Sequence, residues 1–125
     1  LADVIGQLTH FDRLARAHAR EHDRSLRLVV DLTTGRIRRT DRRGADEACP
    51  PLQLPSDYRI SRLIVREQDM SYGSVSITCS RLGLTPSYAM LIEGPANQRK
   101  WILTAGLTGK HLELDTEREV RNILA

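Results

Sequence analysis

The chain has 125 residues, of which 40% are apolar and 28% charged, with a formal charge of +3. That length fits a single domain spanning 1–125 that can bury a core without disulfide or metal staples, and the composition excludes intrinsic disorder. No apolar run approaches the ~20 residues that a bilayer span requires, so the sequence contains no transmembrane helix.

Charge is distributed unevenly. Of the 19 cationic residues 17 are arginine, and residues 1–43 carry a net +4 against −1 for residues 44–125. Arginine in place of lysine is an ordinary consequence of a GC-rich genome. The basic character belongs to the front of the chain.

Residues 1–24 read as one amphipathic helix. Leu1, Val4, Ile5, Leu8, Phe11, Ala15, His18, Ala19 and His22 fall on one stripe at 100° per residue, with Asp3, His10, Arg13, Arg20 and Arg24 opposite. The stripe is bulky over three turns and small afterwards. A close helix–sheet approach is therefore expected near Ala15 and Ala19, with the bulky start meeting something beyond the sheet. The helical pattern is already running at Leu1 without a cap, which reads as a cut end.

The period then switches to two, and residues 25–114 read as a β region. Leu26–Asp31 and Arg36–Thr40 form a predicted hairpin across Thr33-Thr34-Gly35. Residues 41–57, with three of the five prolines, read as a loop. Further strands are expected at 58–66, 74–80, 87–93, 100–105 and 110–114, broken at 69–73, 82–86, 94–97 and 106–109. Short spacings and the lack of a crossover helix predict antiparallel pairing. Residues 115–125 form a short last helix opened by the capping box Thr116-Glu-Arg-Glu119, with Val120, Ile123 and Leu124 apolar. The fold class is α+β.

Candidate chemistry is sparse. His18-Ala-Arg-Glu21-His22 matches the inverted zinc-protease signature H-x-x-E-H, but Glu21 falls away from both histidines on the helix and no later helix offers a third ligand. A polar helix end is the better reading, and no metal site is assigned. Cys49 and Cys79 are the only cysteines. They are a candidate disulfide in an oxidising compartment; otherwise Cys79 is a small core residue. Arg36, Arg38, Arg39, Arg42 and Arg43 form a cluster able to contact phosphate or DNA, but it lacks interleaved aromatics for base stacking, and a charged edge hairpin is the better reading. No nucleophile elbow, P-loop or dinucleotide motif is present. No catalytic residue and no cofactor are assigned.

The order of parts resembles a known family. An N-terminal helix carrying an Ala-Arg pair (Leu14-Ala-Arg-Ala-His-Ala19) runs into a hairpin. Then come Ile77-Thr-Cys-Ser-Arg-Leu-Gly83, Tyr88-Ala-Met-Leu-Ile92 and Trp101-Ile-Leu-Thr-Ala-Gly-Leu-Thr-Gly109. This succession of apolar strand, glycine turn, apolar strand and Thr-Gly hairpin, over roughly residues 1–114, resembles the H-type minor pseudopilins of type II secretion systems and the related FimT-like minor pilins. The resemblance implies a pilin-like fold, with a long helix on antiparallel sheet. It also implies a processed hydrophobic helix ahead of Leu1, anchored in the bacterial inner membrane, with this domain in the periplasm.

The implied role is structural: a subunit near the pseudopilus tip that helps export folded proteins, with no enzymatic activity. The implied partners are other major and minor pseudopilins, the inner-membrane secretion platform and exported proteins. Fibre assembly would use the helix face Leu1, Val4, Ile5, Leu8 and Phe11. The FimT-like alternative captures DNA during transformation through a basic C-terminal tail. Residues 113–121 here are mixed and slightly acidic, which argues against DNA as a partner.

Overall fold

The computed structural model describes residues 1–41 and 50–124. Helix α1 spans Ala2–His22 and ends on Asp23, whose left-handed conformation (φ 49°) turns the chain while the Asp23 and Arg24 amides bond back to Arg20 and Ala19. Among the described residues nine strands follow: β1 Leu26–Asp31, β2 Arg36–Thr40, β3 Leu52–Gln53, β4 Arg59–Val65, β5 Gln68–Met70, β6 Ser74–Cys79, β7 Tyr88–Glu93, β8 Arg99–Thr104 and β9 His111–Leu114. Helix α2, Glu117–Leu124, closes the description.

The strands make two antiparallel sheets, one ordered β3-β2-β1-β6 and the other β5-β4-β7-β8-β9. The β1–β2 hairpin forms as expected. Asp31 Oδ1 accepts from the amides of Thr33 and Thr34 at 2.9 and 3.2 Å, and Gly35 takes the positive φ (72°) that returns the chain. Thr116 caps α2 through the Glu119 amide at 3.2 Å, as the capping box predicts.

Two breaks in the expected pattern are strands. The loop predicted over 41–57 holds β3, paired to β2 through Arg36↔Gln53 and Ile37↔Leu52. The break predicted over 69–73 overlaps β5, which returns from β4. Both are edge strands of two or three residues, too short to show an alternation of their own.

One core joins α1 to the inward faces of both sheets. Val4, Ile5, Leu8, Ala15 and Ala19 meet Leu26, Leu28, Val30, Ile37, Val75 and Ile77 of the four-stranded sheet, and Ile60, Leu63, Val65, Met90, Ile92 and Ile102 of the five-stranded one. A register shift between Ile60 and Arg62 changes the parity of β4, so both Ile60 and Leu63 face this core. The opposite face of the five-stranded sheet makes a second, smaller core in which Ile64, Ala89, Leu91, Trp101 and Leu103 are covered by Val120 of α2. Strand β7 is thus buried on both faces, which accounts for its unbroken apolar run.

Candidate functional site: a buried arginine clamp

The helix face turned inward is rotated from the predicted stripe. Asp12 and Arg16 are buried at 5% and 4% exposure, whereas Phe11 and His18 are half-buried and His22 exposed. A charged pair one helical turn apart reaches the interior because each member is satisfied there, as buried charge requires.

Arg16 Nε donates to Asp12 Oδ2 at 2.8 Å. Arg16 Nη1 donates to the carbonyls of Gly83 at 3.1 Å and Gly106 at 2.8 Å, and Nη2 to Thr85 Oγ1 at 2.7 Å. Tyr88 donates its hydroxyl to Asp12 Oδ1 at 2.6 Å. Burial, then the neighbouring Asp12 charge and that hydrogen bond, hold the Tyr88 phenol well above its usual 10.

The guanidinium therefore ties α1 to two loops, 80–87 and 105–110. The glycines are fitted to this contact. A Cβ on Gly106 would lie 1.9 Å from the Thr85 carbonyl oxygen. Gly83 has φ 79°, and a Cβ there would lie 3.0 Å from the Arg16 carbonyl oxygen. The Ala-Arg pair, the glycine turn and the Thr-Gly hairpin, far apart in sequence, are one contact in space. The resemblance named these segments, but the sequence reading gave Arg16, Asp12 and Tyr88 no role. The signal available was Asp12 four residues before Arg16 at the edge of the apolar stripe.

The other predicted residues do not gather into a site. Val4, Ile5 and Leu8 are 3–6% exposed, and Leu1 and Phe11 are partly buried against the same core. Within the domain this bulky face packs against two sheets rather than one small sheet. The arginine cluster is also divided. Arg36 and Arg38 lie on the outer face of β2, while Arg39 turns inward at 9% exposure with its guanidinium 5.7 Å from the Phe11 ring centre. Arg36 and Arg38 therefore share one face of β2 and Arg39 the other, since consecutive strand residues face opposite sides. Arg42, Arg43 and Cys49 lie outside the described residues, and with them the pairing of Cys49 and Cys79. Cys79 is buried, and desolvation raises its thiol above the usual value.

The His18 and His22 rings stack with centres 4.1 Å apart and planes 28° apart. Among the described residues no three His, Cys, Asp or Glu side chains are grouped as a metal site needs. No described helix is long and apolar enough to cross a membrane.

A second polar cluster holds α2 in place. Arg62, on the outer face of β4, sits 5.3 Å over the Trp101 ring and pairs with Asp69 at 2.6 Å and with Glu117. Arg121 also reaches Asp69 at 2.6 Å and Glu117 at 3.3 Å. The Arg62 contacts hold both carboxyls below their usual range. Comparison of the chain with protein-family models, with curated proteins and with solved structures gives no match.

Proposed function

We propose that this chain is the periplasmic domain of a minor pseudopilin, a structural subunit of a type II secretion pseudopilus of the H type, anchored through a hydrophobic helix that would continue α1. The observation that carries the reading is the Arg16 clamp. The segments on which the resemblance rests meet at one place, where Arg16 fixes the helix to the 80–87 and 105–110 loops, and this meeting supports the reading. The α+β arrangement of one N-terminal helix on two antiparallel sheets is compatible with a pilin-like fold. Nothing in the clamp suits catalysis: its tyrosine and carboxylate are buried and face each other and the guanidinium.

Crosslinking of the full-length chain in its host, with and without the other pseudopilins of the system, tests this. The expected result is a covalent adduct with at least one other pseudopilin and loss of protein export on deletion. Unimpaired export together with no pseudopilin adduct would refute it. Salt-sensitive DNA binding lost in Arg36→Glu/Arg38→Glu would instead favour a FimT-like pilin.

A further inference from the structure

Among the described residues the two sheets end in four edge strands, β3 and β6 on one and β5 and β9 on the other. An edge strand exposes unpaired backbone groups, and proteins blunt such edges with shortness, charge or proline. Three of these edges are blunted in that way. Strand β3 has two residues and lies between Pro51 and Pro55, β5 has three and carries Asp69, and β9 carries Glu113 behind Lys110. Strand β6 has none of these devices. It is six residues long, Ser-Val-Ser-Ile-Thr-Cys, and residues 70–80 contain no Asp, Glu, Lys, Arg or Pro.

The open side of β6 follows from its bonds to β1. The Leu32 amide donates to Gly73 O at 2.8 Å, one step beyond the Asp31↔Ser74 pair. Alternation from that bond assigns Val75, Ile77 and Cys79 to the ladder with β1 and turns the N–H and C=O of Ser74, Ser76 and Thr78 outward. Among the described residues no partner takes these outward groups. The Ser74, Ser76 and Thr78 side chains are exposed, whereas Val75, Ile77 and Cys79 are buried. A row of donors and acceptors at strand spacing, held straight by β1, is matched by one kind of partner, an extended strand.

We infer that the β6 edge pairs antiparallel with the β6 edge of a second copy of this chain, joining two four-stranded sheets about a twofold axis at Ser76. The strand is its own complement. Reversal about Ser76 exchanges Ser74 with Thr78 and Val75 with Ile77, so hydroxyl residues meet hydroxyl residues and apolar residues meet apolar ones. The outward groups of both copies coincide in this register. Ser76 faces Ser76 of the second copy and Ser74 faces its Thr78, each as a hydrogen-bonded pair. Because residues 70–80 are uncharged, no charge meets its own copy at the axis. The inference goes beyond the pseudopilin reading and does not depend on it.

The test is sedimentation equilibrium of the 125-residue chain over a concentration series, with site-resolved amide hydrogen exchange. A reversible dimer is expected, with exchange at Ser74, Ser76 and Thr78 slowing as concentration rises. Ser76→Lys sets like charges against each other at the axis and is expected to weaken the dimer about tenfold or more. Ser74→Lys/Thr78→Glu sets opposite charges against each other in both flanking pairs, and within the chain it puts each new charge opposite Asp31 or Arg27 of the other sign. It is expected to dimerise at least as tightly as the wild type. All three positions are exposed, so unchanged thermal unfolding of each variant is the folding control. A chain that stays monomeric, with exchange at the three amides independent of concentration, would overturn the inference. So would a dimer that Ser76→Lys leaves intact or that Ser74→Lys/Thr78→Glu dissociates. Protection of these amides only on adding another pseudopilin would also overturn it, by assigning the edge to a strand of a different protein.

Discussion

Replacing Arg16 by methionine keeps much of the side-chain volume and removes the guanidinium. The change leaves the Asp12 carboxylate, 5% exposed, with only the Tyr88 hydroxyl, and strips donors from Gly83 O, Gly106 O and Thr85 Oγ1. Removing one partner of a buried ion pair costs about 3–5 kcal/mol, because the remaining charge is uncompensated. A domain has about 5–15 kcal/mol in total. The expected consequence is a fall in Tm of about 10–20 °C, at roughly 3–5 °C per kcal/mol for a chain of this size.

Urea titration followed by Trp101, 1% exposed and the only tryptophan, reads the loss directly. The informative comparison is the double variant Asp12→Asn/Arg16→Met. It leaves no charge in the clamp and keeps an acceptor for Tyr88, so it is expected to recover more than half of the single variant's loss. Arg16→Lys is expected to fall between the wild type and Arg16→Met, since its ammonium can still pair with Asp12 but cannot also span Thr85 and two carbonyls. A cost below about 1 kcal/mol for Arg16→Met, or a double variant less stable than the single, would refute the clamp as an energetic unit.

Gly106→Ala, with its Cβ against the Thr85 carbonyl, is expected to cost about 3 kcal/mol or more, and Gly83→Ala about 1–3 kcal/mol, both read by urea unfolding. Asp69 and Glu117 have carboxyls lowered by Arg62, so their stabilisation is present above the usual carboxylate pKa and is lost as pH falls below about 4. Trp101 fluorescence is expected to change across that window, and less so in Asp69→Asn/Glu117→Gln. Tyr88 and Cys79 are raised, so their contribution is complete below the usual pKa of each and falls as pH rises beyond it. Alkaline unfolding is therefore expected to begin near pH 9–10, and its slope to be smaller in Tyr88→Phe. Leu8→Ala is expected to cost about 2–5 kcal/mol in the isolated domain, as a core residue and not only an assembly residue would.

Much of the framework could be read from period and punctuation. The β1–β2 hairpin carries its turn chemistry in Asp31 and Gly35, α2 carries its cap in Thr116 and Glu119, and β7 announces double burial by its apolar run. Strands β3 and β5 could not be read, because they exist only as partners to β2 and β4 and have too few residues to alternate. The clamp escaped for a different reason. On a helical wheel Asp12 and Arg16 register as polar and hence outward; their burial depends on two carbonyls and a hydroxyl more than sixty residues away. The split of Arg38 from Arg39 was in principle legible, since a two-residue period sends neighbours to opposite faces.

The use of Val4, Ile5 and Leu8 in this chain's own core changes what an assembly contact can be. Side chains at 3–6% exposure cannot also pack against a neighbour without first leaving the sheets. The outward face of α1 is left, with Ala2, Asp3, Gly6, Gln7, His10 and Arg13 exposed and Leu14 its one large apolar side chain. Such a face permits close approach at Gly6, where a Cβ would meet nothing within 4 Å, but it offers little apolar area. The affinity of a helix-to-helix contact over residues 2–14 would have to come from charge and small-residue packing, and charge at a solvent-facing surface is worth about 1 kcal/mol or less per pair. Among the described residues, a helix-to-helix contact over residues 2–14 is therefore weak on its own.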